Sequence, residues 1–257
     1  MDPKLLYPIE HRDRSARSDL AVMRSRDALV ATRTKLVNHI HGVLKSFGHR
    51  VKKYAAPGFH RQVADQIPDE LRASLQPILN TLSALAEQIL VLDREMRRLS
   101  TAIYPESSLL SQVGGVGPIT ALRYVLTIED PTRIKRSRNV GAYLGLRPRQ
   151  RQSGQRDPEL RITKAGDRDL RRLLVQCAQQ ILGPFGKDSD LRRWGLELAS
   201  RGKATAKKKA VIAVARKLAV LLHRLWVTGE VYEPLRNTNR LAAKQARKPR
   251  AVPAMVT

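Results

Sequence analysis

Three stretches of this 257-residue chain bring together residue types that could do chemistry, and all three point at phosphate. In Leu144-Gly145-Leu146-Arg147-Pro148-Arg149-Gln150-Arg151-Gln152-Ser153-Gly154, a serine lies among Arg147, Arg149, Arg151 and the following Arg156. A hydroxyl becomes a useful nucleophile towards phosphate where cations hold the phosphate and stabilise the charge that develops. Ser-Gly is also one of the commonest turn dipeptides, so a plain turn is the other reading. In Val113-Gly114-Gly115-Val116-Gly117-Pro118-Ile119-Thr120, Gly115 and Gly117 permit a tight turn and Pro118 suits the first position of a helix. Backbone N–H groups at such a helix start can hold a phosphate oxygen without reading sequence, which is helix-hairpin-helix logic. An ordinary joint between two helices fits the spacing equally well. In the third stretch, Arg161 to Arg172, Asp167 is a credible N-cap. Lys164, Arg168 and Arg171 then line either a phosphate track at a helix start or a solvated basic face.

The charge distribution favours an anionic partner. The chain has 48 Lys plus Arg against 23 Asp plus Glu, a net charge of +25. Residues 131–218 alone hold 23 basic and 7 acidic side chains, whereas 69–103 hold 4 and 5. A positive field focused in this way draws a polyanion and releases its counterions. Aromatic residues make up only 4%, too few for a surface that stacks many single-stranded bases.

Other classes of chemistry are excluded. Cys177 is the only cysteine, so there is no disulfide scaffold and no multi-cysteine zinc site. The chain has no nucleotide-hydrolase phosphate loop, no dinucleotide fingerprint and no HExxH. The six histidines have no metal-ligand spacing, and carboxylates are too sparse for a magnesium cluster. No metal or other cofactor is therefore expected on this chain. A membrane span needs about 18 apolar residues. The best candidate, Ala210–Val227, is broken by Arg216, Lys217, His223 and Arg224, and the N-terminus has no signal-peptide apolar core. A cytoplasmic protein with no membrane partner is expected.

These loops must be held by helices. Residues 15–47 read as one long helix with an apolar stripe of Val22, Leu29, Leu36, Ile40, Val43 and Phe47, widened by Val30, Val37 and Leu44. From about 69 to 103, Leu75, Ile78, Leu82, Leu85, Ile89, Leu92, Met96, Leu99 and Ile103 alternate steps of three and four, a coiled-coil seam. Pro77 would shift the start of that helix to itself. The seam pairs either with the first helix, as an antiparallel hairpin, or with another subunit. Tyr104-Pro105 then opens a compact region with helices to about Thr127, over 167–182, over 190–200 and over 204–228. An irregular basic stretch spans 131–166. The last of these helices is given Val211, Val214, Leu218, Leu221 and Leu225 as its buried stripe. The fold class is mostly α: a helical-hairpin arm (1–104), a compact helical domain with a helix-hairpin-helix-like element (105–234), and a frayed basic tail (235–257).

The ordered series Gly115-Val116-Gly117-Pro118, Asp130-Pro131, Val140-Gly141-Ala142-Tyr143-Leu144-Gly145-Leu146-Arg147-Pro148, Gln152-Ser153-Gly154 and Ile162-Thr163-Lys164-Ala165-Gly166-Asp167 resembles one transposase group. That group is the IS-one-ten insertion-sequence family, the DEDD transposases, and the resembling part is its C-terminal domain. Lys208-Lys209-Ala210 and Ala215-Arg216-Lys217-Leu218 also fit the pattern, and residues 15–103 look like the coiled coil that precedes the domain. The resemblance implies DNA transposition and recombination, with Ser153 as the serine nucleophile. It implies that Gly115, Gly117, Arg147, Arg149, Arg151, Arg156, Lys164, Arg168 and Arg171 hold nucleic acid. It further implies DNA as partner, a structured guide RNA, and a homo-oligomer formed through the coiled coil. In the family, magnesium is held by an N-terminal RuvC-like acidic domain that no segment here resembles. A truncated or divided transposase, inactive without that domain, is therefore expected. A non-catalytic nucleic-acid-binding module, or a basic RNA-binding protein, would use the same surface.

Overall fold

Heptad spacing in the first hundred residues becomes helices α1 (Arg14–Ser46), the short α2 (Phe59–Ala64) and α3 (Asp69–Arg98), which runs on into a π-helical turn at Leu99–Ile103. The computed structural model describes residues 12–246 apart from 53, 156, 157, 159 and 203. The chain divides into two units, Met1–Ile103 and Tyr104–Thr257. In the first unit Arg26 of α1 pairs with Asp93 near the end of α3. Ile40 and Leu44, late in α1, share a buried cluster with Leu71, Leu75, Leu79 and Leu82, early in α3. The two helices therefore run antiparallel. Phe59, Val63 and Ile67 fill the space where the chain turns back. α1 stops in a Schellman arrangement, with the His49 N–H on the Leu44 carbonyl (2.9 Å) and the Gly48 N–H on that of Lys45 (3.1 Å).

Several expectations for this unit need correction. The buried row of α1 is Ala16, Leu20, Met23, Ile40 and Leu44; Ile40 and Leu44 of the expected stripe lie in it, whereas Val22, Leu29, Val30, Leu36, Val37 and Val43 are half-buried and Phe47 is 54% exposed. Arg26 and Arg33 interrupt this row between Met23 and Ile40. Burial and the nearby Arg26 depress the pKa of Arg33. α3 begins at Asp69 and passes straight through Pro77. Its seam uses Leu79 more fully than Ile78, and Ile103 is half exposed. Among the described residues one helix, Asp69–Ile103, is long and apolar enough to cross a membrane by length and composition, a better candidate than Ala210–Val227.

The second unit holds α4 (Glu106–Leu110), α5 (Pro118–Ile128), α6 (Val140–Tyr143), α7 (Arg168–Leu182), α8 (Asp190–Ser200), α9 (Ala204–Thr228) and α10 (Arg236–Ala246). With ten α-helices among the described residues, the fold is mostly α. α5 is buried on every side from Thr120 onward, as an apolar helix must be when it has no polar face. α9 lies against α4, α6, α7 and α8. The Tyr124 hydroxyl donates to the Ala219 carbonyl (2.6 Å), joining α5 to α9. Gly195 lets α8 close on Leu182 and Val214.

The buried stripe of α9 is Ala210, Val214, Ala215, Leu218, Ala219, Leu222 and Leu225, wider than expected because alanines carry the close contacts; Val211 and Leu221 sit at its edge. His223 is also buried, one ring nitrogen 3.0 Å from the Ser137 hydroxyl and the other 3.0 Å from the Pro131 carbonyl. The expected frayed tail is a helix over its described part. Asp190 accepts bonds from the Asn237 and Thr238 N–H groups and the Thr238 hydroxyl, so a carboxylate of α8 caps α10.

Candidate nucleic-acid interface

The arginine-rich stretch is an antiparallel ribbon rather than an irregular loop. The Lys164 N–H donates to the Gly145 carbonyl (3.1 Å), that of Thr163 to Arg147 (2.9 Å), and that of Arg149 to Arg161 (3.0 Å). Pro148 and Ile162 form the isolated bridge between the two sides. Side chains alternate along extended backbone. Leu146 is accordingly buried, whereas Arg147 and Arg149 are exposed, with Arg151 exposed beyond them. Arg149, Gln150, Arg151, Leu160 and Arg161 line a shallow groove. Ser153 is exposed further along the same ribbon, before Gly154.

The neck of the ribbon depends on two glycines. Gly145 has φ +66° and Gly166 φ +71°, a region L-residues other than glycine rarely enter. A Cβ on Gly145 would lie 2.3 Å from the backbone N and O of Ala165, and one on Gly166 would lie 2.2 Å from the Tyr143 carbonyl oxygen. The two backbones therefore cross in direct contact. Arg171 fastens the crossing, donating to the carbonyls of Leu144 (3.0 Å) and Ala165 (2.6 Å). Below it, Asp167 caps α7 by accepting from the Leu170 N–H (2.7 Å). Arg123, only 1% exposed within α5, lies 3.5 Å from Asp167 and 3.0 Å from Asp169. A buried cation in α5 thus anchors the helix start on which the ribbon stands.

Comparison with known proteins bears on this same region. The model of the Transposase IS116/IS110/IS902 family matches residues 107–189. The transposase for insertion sequence element IS1328 of Yersinia enterocolitica is 32% identical over 223 residues, 82% of this chain and 64% of that protein. The transposase for insertion sequence element IS1111A of Coxiella burnetii (strain RSA 493 / Nine Mile phase I) is 28% identical over 219 residues, 82% of this chain and 59% of that protein. Residues 107–189 match the IS116/IS110/IS902 transposase family, and the chain is similar to insertion-sequence transposases over most of its length. It spans about three fifths of the length of those two relatives. A pilin gene-inverting protein of Moraxella lacunata is 28% identical over 116 residues, 45% of this chain and 35% of that protein.

The segment matching the IS116/IS110/IS902 family contains the glycine turn, the ribbon and all of α7, and ends at Ser189, the N-cap of α8. Within this segment the candidate residues fall into two groups. Arg147, Arg149, Arg151, Ser153 and Lys164 lie on the ribbon, and Arg168 and Arg171 at the start of α7 where it returns. Arg171 is engaged with the neck carbonyls, so it positions the ribbon. Arg156 lies outside the described residues. Gly115 and Gly117 sit elsewhere, beside the later turns of α7. A Cβ on Gly115 would lie 2.8 Å from Ile181 Cγ1, and the Gly117 N–H faces the Cys177 thiol. Burial pushes the pKa of that thiol up, which keeps it protonated. Gly117 and Pro118 at the start of α5 remain exposed. Sequence reasoning missed Arg161, which faces the groove from the returning side, and Arg123. A lone arginine in an otherwise apolar helix, with Asp167 and Asp169 downstream, was the available signal for Arg123.

Proposed function

We propose that this chain binds DNA and takes part in transposition of an insertion sequence, with the arginine ribbon holding a phosphodiester for Ser153. The observation that carries this reading is the clamped ribbon itself: Arg149, Arg151 and Arg161 around a groove, with Arg147 exposed nearer a neck that leaves little backbone freedom. In the proposed step Ser153 Oγ attacks phosphorus, forming a P–O bond to serine as the P–O bond to one deoxyribose oxygen breaks. The hydroxyl proton passes to a base and the departing oxygen takes one up. Attack of another deoxyribose hydroxyl on the phosphoserine reverses the process and joins a new strand. Guanidinium groups supply the charge neutralisation such a step needs.

Among the described residues no group of His, Cys, Asp and Glu could hold a metal ion, so no step is drawn through magnesium. Any magnesium is assigned to acidic residues other than these. The exposed guanidinium groups of the ribbon would serve equally in a second reading, in which this stretch binds nucleic acid without acting on it. A structured guide RNA, a homo-oligomer formed through α1 and α3, and a cytoplasmic setting complete the proposal. The test is capture of a denaturation-resistant protein–DNA adduct on end-labelled DNA, with and without a supplied acidic nuclease domain and magnesium. An adduct formed by the native chain and abolished by Ser153→Ala supports the nucleophile. Undiminished adduct in Ser153→Ala removes it. Tight DNA binding with no adduct in any mixture leaves the binding module.

A further inference from the structure

The segment between α7 and α8, residues 183–189, holds an aromatic ring out from the surface. Phe185 is 94% exposed, in a chain with only three phenylalanines. Single exposed apolar side chains are ordinary on floppy loops, but this loop is tied down at each end. Arg192 donates through Nη1 to the carbonyls of Ile181 and Gly183, closing the C-terminus of α7. The Gly186 N–H bonds to the Gly183 carbonyl (3.2 Å), and a Cβ on Gly186 would lie 2.1 Å from the Ile181 oxygen. Asp188 holds Arg193 through both carboxylate oxygens (2.9 and 2.6 Å), and the Ser189 hydroxyl caps α8 on the Arg192 N–H. The backbone under Phe185 is thus fixed while its ring is left uncovered by the described residues.

The loop also lies against the glycine turn. Lys187 packs on Gly114, with its Cβ 3.7 Å from where a Gly114 side chain would begin. Phe185 and Lys187, both exposed, thus stand on a loop that packs against the glycine turn leading into α5, whose first residues Gly117 and Pro118 are exposed too. A protein partner needs a contiguous apolar patch. A nucleotide needs one ring face for its base and a nearby cation or helix start for its phosphate. We infer that Phe185 is a base-stacking residue: it stacks on an unpaired or unstacked nucleobase of bound DNA, with Lys187 on the adjacent phosphate. This rests on the proposed DNA-binding reading.

Both can be tested separately with the full chain and fluorescein-labelled duplex and single-stranded DNA, titrated by anisotropy at several salt concentrations. Phe185→Ala should weaken binding by about 5- to 150-fold, the loss of one stacked base. The salt slope should not change, since no charge is removed. Phe185→Trp should restore affinity and add tryptophan quenching on DNA beyond that of Trp194 and Trp226 in the native chain. Thermal melting should be unaltered in both variants. Native affinity in Phe185→Ala, or full affinity in Phe185→Leu, which is apolar without a ring, overturns stacking while leaving the electrostatic reading intact. A changed oligomeric state with unchanged DNA affinity assigns the ring to a protein contact and also overturns it. A native salt slope near zero instead overturns the DNA-binding reading beneath it.

Discussion

Gly145→Ala isolates the ribbon neck from everything else in the protein. Three separate terms act at this position. Placing an L-residue in the left-handed region costs about 1–2 kcal/mol. The added methyl would sit 2.3 Å from two backbone atoms of Ala165, and relieving such overpacking costs about 1–3 kcal/mol more. The two strands can separate only by giving up the Lys164–Gly145 bond, and a net hydrogen bond contributes about 0.5–1.5 kcal/mol. The total, about 3–6 kcal/mol, is a large share of the 5–15 kcal/mol that ordinarily stabilises a domain. The strain can be relieved locally, because beyond Leu144 and Leu146, which pack in the core, the described ribbon residues are mostly exposed and can part without unfolding the domain. The expected result is faster amide exchange across 143–166, weakened DNA binding, and a smaller change in the main melting transition. Gly154→Ala is the control. It shares the positive φ (56°), but its Cβ would meet nothing within 4 Å, so only the conformational term of about 1–2 kcal/mol should appear. If Gly145→Ala and Gly154→Ala perturb exchange and binding equally, the crossed-backbone account of the neck is wrong.

Three further outcomes are expected. DNA binding that neutralises about six phosphates should show a slope near −5 in log K against log salt, and Arg149→Ala with Arg161→Ala should make it shallower by about two; an unchanged slope in the double variant would remove the groove from the interface. Leu82→Asp places a carboxylate in the sealed α1–α3 seam and should cost several kcal/mol, read as lost helicity or a lower melting temperature, while Leu90→Asp on the exposed side should be nearly silent. Burial holds the His223 pKa below its usual value, so the unfolded chain binds a proton first as pH falls. The stability this neutral histidine contributes should be complete above about pH 6.5 and decline below it, towards the depressed folded pKa. Melting of His223→Gln should lack that component, and an identical pH profile in both proteins would show that another group carries it.

Helix positions were legible wherever one period dominated. α7, α8 and α9 lie where Leu170, Leu174, Ala178 and their counterparts place them, and Asp167 caps α7 as its residue type suggests. Legibility failed where a polar residue did an apolar residue's job. Arg26 and Arg33 in α1 interrupt its apolar row between Met23 and Ile40, and Arg123 inside α5 signalled a buried cation without saying which carboxylates, 44 and 46 residues later, it would meet. It failed again where geometry came from pairing distant backbone. Proline and arginine in 147–151 do not announce a strand, and its partner at 161–164 lies across a longer loop than the Ser153-Gly154 turn signal by itself implies. Phe185 was passed over because exposure is a property of the fold. Nothing in Gly-Pro-Phe-Gly-Lys says that the arginine of the next helix will hold the loop still.

α7 sets a length scale for whatever the protein grips. It is 15 residues long, about 22 Å at 1.5 Å per residue, with the ribbon rooted at its first turn and the Phe185 loop leaving its last. Its two ends are fixed by different partners, Arg123 from α5 at the start and Arg192 from α8 at the finish. The helix therefore behaves as a gauge whose span is set by covalent geometry. Along B-form DNA that span corresponds to about six to seven base-pair rises of 3.4 Å, well short of one helical turn. A ligand touching both ends must offer its phosphate and its accessible base at that interval. Inserting one residue into α7 would lengthen the gauge by only 1.5 Å but turn one end by about 100° relative to the other, so the register between the two contacts depends on angle far more than on distance.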